Sequence, residues 1–165
     1  MRNRLLVIFA LVASLFGLGL VNTSNASALG APGEWVFFSN SYYLGLPNCA
    51  TPEGNRTANG TVLTQWTCKE HEIQRFAYDS SGRIVHKVSG KCVTPQGDNS
   101  FTNGVVLTLW TCGTSYSQQF VTTWDKTFTQ DGGKCVTPKG DSFANGVWLT
   151  LWTCASPSAP SQRWT

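Results

Sequence analysis

Charged side chains are scarce in this 165-residue chain, since Lys, Arg, Asp and Glu together make up 13% of it. The Lys and Arg residues are scattered singly and form no basic cluster, which argues against nucleic acid as a partner. The chain has two histidines, and neither His71 nor His86 stands at ligand spacing from a cysteine. It also lacks a C-x-x-C motif, so we expect no bound metal and no cofactor.

Catalytic patterns are missing as well. The sequence contains no Ser/His/Asp set and no repeated pair of acids of the kind that flanks a glycosidic bond in glycoside hydrolases. We therefore expect the protein not to be an enzyme. No window shows a 3.6-residue apolar period bounded by capping residues, which favours an all-β domain over a helical one.

A long apolar run occurs once, from Leu5 to Val21. A basic start precedes it and the small residues Ala26-Ser27-Ala28 follow it, a pattern typical of a cleaved secretory signal peptide over residues 1–28. The alternative is an uncleaved membrane anchor. Cleavage after Ala28 would leave a single secreted, extracellular domain over residues 29–165 with a net charge near +1. We expect that domain to be monomeric and to have no contact with a membrane.

Three copies of one unit fill the rest of the chain, at about residues 35–78, 79–122 and 123–165, here called repeats 1, 2 and 3. Each contains a Cys-x-Thr-Pro segment, continues through an Asn-Gly turn to Leu-Thr-x-Trp-Thr-Cys, and closes with Gln-x-Phe or Gln-x-Trp. Asn-Gly followed by a β-branched and apolar run is typical of a tight hairpin. Three such units predict a closed, pseudo-threefold all-β arrangement.

Cysteine spacing predicts how the six cysteines pair. The two cysteines of each repeat are 19, 20 and 19 residues apart, so the constant arrangement is a disulfide inside each repeat. An exported chain reaches an environment in which thiols are oxidised. We predict the disulfides Cys49–Cys68, Cys92–Cys112 and Cys135–Cys154.

The closing Gln-x-aromatic segments are interpreted as structural. We expect the three aromatic rings to converge on the pseudo-threefold axis while each glutamine ties its own repeat together by hydrogen bonds. These predicted core residues are Gln74, Phe76, Gln118, Phe120, Gln162 and Trp164.

Three units of about 43 residues with these cysteine, Leu-x-Trp-x-Cys and Gln-x-Trp or Gln-x-Phe motifs resemble the ricin B-type β-trefoil lectins, also called R-type lectins. The resemblance runs from about Trp35 to Thr165. It implies a β-trefoil fold and a non-catalytic carbohydrate-binding function, with up to three shallow sugar sites, one per repeat. The sugar itself is not specified by these motifs.

Candidate sugar contacts follow from the same resemblance. The family's stacking aromatic corresponds to Trp66, Trp110 and Trp152, whose indole faces can cover the C–H patch of a pyranose ring. Where the family has a sugar-gripping Asp this chain has Thr51, Thr94 and Thr137. The polar residue two positions before each tryptophan is Thr64, Thr108 or Thr150, and the family's Asn before the closing Gln is replaced by Ile73, Ser117 or Ser161.

Acidic residues at a different position give a second hypothesis. Asp98 and Asp141 stand in equivalent loops six residues after the first cysteine, where repeat 1 has Asn55. A threonine hydroxyl cannot accept hydrogen bonds as a carboxylate does. We therefore predict that these acids replace the missing Asp; the alternative is a turn-forming Asp that bonds its own backbone.

The threonines also favour a rival function. A β-trefoil that has lost its sugar sites would act as a protein-binding factor, an inhibitor or a toxin subunit. A comparison of binding to immobilised polysaccharide with binding to protein separates the two functions.

Overall fold

The computed structural model describes residues 32–40, 47–129 and 131–164, so the predicted signal peptide lies outside the described residues. Within these ranges the chain forms twelve strands: β1 Val36–Phe37, β2 Ser39–Asn40, β3 Asn48–Pro52, β4 Thr61–Thr67, β5 Arg75–Tyr78, β6 Ile84–His86, β7 Cys92–Pro95, β8 Leu107–Trp110, β9 Phe120–Thr122, β10 Thr127–Thr129, β11 Lys134–Pro138 and β12 Val147–Thr153. Six short 3₁₀ turns join them: Glu53–Asn55, Glu72–Gln74, Gln96–Asp98, Tyr116–Gln118, Lys139–Asp141 and Pro160–Gln162. None of the described helices is long and apolar enough to span a bilayer.

The same hairpin forms the centre of each repeat. Strands β3 and β4, β7 and β8, and β11 and β12 pair antiparallel, and the register sets the first cysteine of each repeat opposite its tryptophan. The second cysteine follows that tryptophan by two residues, and the disulfides close across Cα–Cα distances of 4.9, 5.0 and 5.0 Å. The predicted disulfides within each repeat are confirmed.

The three hairpins also pair with one another in cyclic order. The cross-strand partners are Val62 with Thr108, Val106 with Thr150, and Trp148 with Thr64. An isolated bridge between Asn40 and Trp164 joins the start of the described chain to its end. Three equivalent hairpins arranged around one axis confirm the predicted β-trefoil.

The core lies where the inward faces of these strands meet. The closing aromatics Phe76, Phe120 and Trp164 are fully buried there, together with leucines from all three hairpins. Phe38 joins them, with its ring centroid 5.1 Å from that of Trp164. Because successive strand residues face opposite sides, burying these residues directs the alternate ones, including the hairpin tryptophans, toward the surface.

Candidate functional site

A buried glutamine links the two strands of each hairpin to the closing segment of the repeat. In repeat 2, Gln118 Nε2 donates hydrogen bonds to Thr94 Oγ1 at 2.8 Å and to the Thr111 carbonyl at 3.1 Å, and Gln118 Oε1 accepts one from the Gly113 amide at 2.7 Å. Thr94 Oγ1 donates onward to the Cys92 carbonyl at 3.0 Å. The same bonds recur through Gln74, Thr51, Thr67, Lys69 and Cys49 in repeat 1 and through Gln162, Thr137, Thr153, Ala155 and Cys135 in repeat 3.

All six threonines predicted as sugar contacts belong to this framework. Their side chains are buried, between 1% and 6% exposed. The hydroxyls of Thr64, Thr108 and Thr150 donate to the carbonyls of the first threonine of their own repeat, Thr51, Thr94 or Thr137, at 2.8, 3.0 and 2.8 Å. The hydroxyls of the first threonines both donate and accept inside the repeat, which leaves them little capacity for a ligand.

The hairpin tryptophans lie above this framework and face solvent. Trp66, Trp110 and Trp152 are 46%, 48% and 47% exposed, so each keeps about half of its indole surface free. Each lines a cavity in its own repeat. The near-identical exposure follows from the shared register, because all three occupy the position opposite the first cysteine.

The Asn-Gly turn of the neighbouring repeat supports each tryptophan from the side. Gly60 lies against Trp110, Gly104 against Trp152 and Gly146 against Trp66, each so close that a methyl group there would stand 3.5 to 3.6 Å from the indole. All three glycines have positive φ, as the turn requires. The site of each repeat therefore includes one wall from the repeat before it in rotational order.

Asparagines of the same turns fasten this contact. Asn59 Nδ2 donates to Thr111 Oγ1 at 3.1 Å, and Asn103 Oδ1 accepts from Thr153 Oγ1 at 3.1 Å. Asn145 Oδ1 accepts from the Thr67 amide at 2.8 Å. In each pair the threonine directly follows the site tryptophan, so the contact fixes the strand end that carries the indole.

Asp98 and Asp141 line the same cavities as Trp110 and Trp152. They occupy left-handed backbone with φ of 55° in both cases, directly after Gly97 and Gly140, which also have positive φ. Asp and Asn tolerate this conformation better than other side chains. Ser117 Oγ donates to Asp98 Oδ1 at 2.8 Å, and Ser161 Oγ donates to Asp141 Oδ1 at 2.6 Å.

Each carboxylate is thus oriented by a serine that lies 19 or 20 residues later in the chain. Both aspartates are exposed and no described residue donates to their Oδ2 atoms. The sequence alone indicated the aspartates but not these partners. The serines occupy the position before the closing glutamine, and their spacing from the aspartates is the signal that could have indicated the pairing.

Repeat 1 departs from this arrangement. Asn55 takes the turn position with φ of 56°, but Ile73 stands in place of the serine, so no carboxylate–hydroxyl pair forms. The cavity beside Trp66 is larger, about 900 Å³ against about 300 Å³ in repeat 3 and about 240 Å³ in repeat 2. Charged and ionisable side chains of Lys69, His71 and Glu72 line it beside Ile73 and Val88.

Two titratable groups in this region, Glu72 in the cavity wall and the buried His86, have shifted pKa values. A hydrogen bond from Lys87, which also forms an ion pair with it, lowers the pKa of Glu72. His86 is fully buried behind Ile73, with Nε2 2.9 Å from the Ile73 carbonyl and Nδ1 2.9 Å from Ser89 Oγ. Burial lowers the pKa of His86, against an opposing effect of the Ile73 hydrogen bond.

One tryptophan that the sequence analysis did not single out also lines a site. Trp148 lies in the cavity of repeat 3 together with Trp152 and Asp141. Aligning the repeats on their second cysteines would have shown it, since repeats 1 and 2 have Val62 and Val106 at this position. As for metals, the described part of the chain groups no three His, Cys, Asp or Glu side chains in a way that could hold an ion.

Comparison with known proteins agrees with this architecture. Residues 47–115 match the model of a family described as the ricin-type beta-trefoil lectin domain, which confirms the resemblance seen in the sequence. No curated protein sequence matches the chain significantly.

Solved structures share the fold at low sequence identity. The C-half of an earthworm R-type lectin in complex with GalNAc superposes with a TM-score of 0.64 and 13% identity over 78% of this chain and 95% of that one. ThreeFoil, a designed threefold-symmetric protein, superposes with a TM-score of 0.63 and 17% identity over 71% of this chain and 88% of that one. An exo-beta-1,3-galactanase from Clostridium thermocellum superposes with a TM-score of 0.67 and 19% identity. The match covers 82% of this chain but only 31% of the enzyme.

Proposed function

We propose that this chain is a secreted, non-catalytic carbohydrate-binding protein. It resembles the ricin-type β-trefoil lectins in sequence over residues 47–115 and in fold throughout its described part. The observation that carries the proposal is the set of three half-exposed tryptophans, each in its own cavity. An indole face in a shallow hollow suits the C–H face of a pyranose ring, which has no charge and offers hydroxyls around its edge.

In repeats 2 and 3 the carboxylate supplies the polar half of recognition. Asp98 and Asp141 share their cavities with Trp110 and Trp152, and each uses one oxygen to accept from a serine. The second oxygen is free to accept from a sugar hydroxyl, and hydrogen bonds to a charged acceptor are stronger than those to a neutral one. The buried threonines then serve recognition indirectly, by fixing the strands that hold the indoles.

Repeat 1 would bind sugar differently from repeats 2 and 3. Its turn carries the neutral Asn55, and the wall of its cavity contains the apolar Ile73. Its larger cavity suits a bulkier or branched sugar. We therefore propose up to three sites of unequal preference on one rigid body, which gain avidity on a glycan that displays many copies of the sugar.

Absence of catalysis is part of this proposal. A glycosidase needs two carboxyl groups roughly 5 to 10 Å apart on either side of the scissile bond. Asp98 and Asp141 belong to separate repeats and separate cavities. Export through the signal peptide of residues 1–28 is proposed on the sequence pattern alone, as is the monomeric state of residues 29–165.

A glycan array probed with the mature chain tests the function directly. We expect binding to a defined group of glycans and its loss in the triple variant Trp66→Ala, Trp110→Ala, Trp152→Ala. Trp124→Ala is the matched control, since Trp124 is 84% exposed but lines none of the three cavities. Asp98→Asn with Asp141→Asn, which preserves side-chain shape, gives a second test should the triple variant misfold.

Three outcomes would overturn the proposal. A folded, oxidised wild-type chain that binds no glycan on the array and no polysaccharide resin would show that it is not a lectin. Release of reducing sugar from a bound polysaccharide would show that it is an enzyme. Retention on immobilised protein alone would instead favour the protein-binding function.

A further inference from the structure

Repeat 3 carries an extra tryptophan that breaks the threefold equivalence of the sites. The cyclic pairing of the central strands sets Trp148 opposite Thr64, just as it sets Val62 opposite Thr108 and Val106 opposite Thr150. Trp148, Val62 and Val106 are therefore equivalent positions. Because valine fills this position in the other two repeats, the fold itself does not require an indole there.

Trp148 and Trp152 face the same cavity. They are four residues apart on β12, and alternate strand residues share a face, so both indoles project to one side with Thr150 between them. Four residues of strand separate their Cα atoms by about 13 Å, more than the width of one pyranose ring. The two tryptophans line the cavity of about 300 Å³ together with Asp141.

Neighbouring charges hold the Trp148 indole in place. Its Nε1 donates to Glu53 Oε1 at 3.4 Å, and the Lys139 ammonium lies 5.2 Å from the ring centroid. A cation over an indole face is an attractive contact. The residue nevertheless stays 40% exposed, so a positioned indole surface remains open to a ligand.

The open surface continues beyond Trp148 toward repeat 1. A second hollow of about 290 Å³ is lined by Lys139, Gly146, Val147 and Trp148. Gly146 in turn packs against Trp66, the site tryptophan of repeat 1. Trp148 thus lies between the cavity of repeat 3 and the site of repeat 1.

We infer that the repeat-3 site is an extended cleft for consecutive sugars of one glycan chain, in which Trp152 and Asp141 take one residue and Trp148 stacks on a later one. Repeats 1 and 2, with valine at the equivalent position, take a single residue beside their hairpin tryptophan. This inference rests on the proposed function and adds to it a substrate class, oligosaccharides and polysaccharides rather than lone monosaccharides.

The test isolates repeat 3 in a Trp66→Ala, Trp110→Ala background and measures calorimetric affinity for mono-, di-, tri- and tetrasaccharides of β-linked xylose, glucose and galactose. We expect affinity to rise about tenfold with chain length, the gain of one additional stacked ring. Adding Trp148→Val, which copies repeats 1 and 2, should abolish most of that gain, so that tetrasaccharide affinity falls by a larger factor than monosaccharide affinity.

A control variant guards against a folding artefact. Trp124→Ala in the same Trp66→Ala, Trp110→Ala background removes an exposed indole that lines none of these cavities, so it should keep the full length dependence. An unchanged length dependence in the Trp148→Val variant, or equal losses for monosaccharide and tetrasaccharide, would overturn the extended cleft while leaving the lectin function intact. If the wild-type chain binds none of these sugars and no array glycan, the proposed function itself fails.

Discussion

Repeats 2 and 3 differ from repeat 1 in the residues that face the ligand cavity, while all three share the framework beneath it. The glutamine–threonine bonds, the disulfide and the exposed tryptophan recur with nearly the same geometry in every repeat. The Asp–Ser pair occurs in repeats 2 and 3 only, and repeat 1 has Asn55 and Ile73 instead. The comparison shows that the buried polar network is the same in every repeat, while the residues that line the cavity differ.

Removing the shared glutamine should have the largest effect and should not distinguish the repeats. Gln74→Leu, Gln118→Leu and Gln162→Leu each delete three hydrogen bonds and leave a backbone amide and a carbonyl without their partner. We expect each to lower the free energy of unfolding by about 3 kcal/mol. Urea denaturation measures it, with Gln119→Leu as the control. A much smaller loss in repeat 1 would contradict a common framework.

Neutralising the carboxylates should separate repeats 2 and 3 from repeat 1. Asp98→Asn and Asp141→Asn keep an acceptor for the serine but remove the charge, and hydrogen bonds to charged groups contribute about 1.5–3 kcal/mol. We expect sugar affinity at the altered site to fall roughly 10- to 100-fold, as titration calorimetry would show. Asn55→Ala in repeat 1 should leave the other two sites unchanged. Equal weakening by all three variants would remove the distinction.

Converting repeat 1 should sharpen the same comparison from the other side. Asn55→Asp with Ile73→Ser rebuilds the Asp–Ser pair on a framework that already holds Trp66. We expect one more site for the ligand of repeats 2 and 3, with a gain in affinity of about tenfold at repeat 1. The number of binding sites from calorimetry measures it, and Ile73→Ser alone is the control. No added site would show that the loops alone do not set preference.

His86, at the end of β6 in repeat 2, makes the stability of the fold depend on pH. Because its folded-state pKa lies below the ordinary 6.5, the unfolded chain binds a proton that the folded chain does not, and stability falls as the pH decreases below about 6.5. We expect the free energy of unfolding to fall between pH 7.5 and 5.5, because the unfolded chain takes up a proton at His86 over that range. Thermal unfolding at several pH values tests this, with His86→Gln removing the dependence and the exposed His71→Gln retaining it.

The sequence predicted most of the scaffold because periodic features report it directly. Three cysteine pairs at constant spacing and three Gln-x-aromatic endings are sufficient to predict three β units, their disulfides and a trefoil. Each of these features is visible in the spacing of residues along the chain. Long-range side-chain pairing is not visible in that spacing, because it depends on which loops meet after folding.

The candidate site illustrates that difference. Trp66, Trp110 and Trp152 were selected as surface residues by their motif, and they are half exposed. The six threonines were selected in the same way, but their hydroxyls are bonded inside the repeats, and their direct contact with sugar stays a prediction. The bonds from Ser117 to Asp98 and from Asn59 to Thr111 join residues 19 and 52 positions apart, which one sequence does not indicate.

The Asn-Gly turns have a consequence for how such a protein can be cut or rebuilt. Since every cavity takes one wall from the adjacent repeat, an isolated repeat would present its tryptophan without a support and would have no complete site. A homotrimer of single repeats would restore all three cavities. A circular permutant opened between any two repeats would keep them, because the contact from repeat 3 back to repeat 1 is equivalent to the other two.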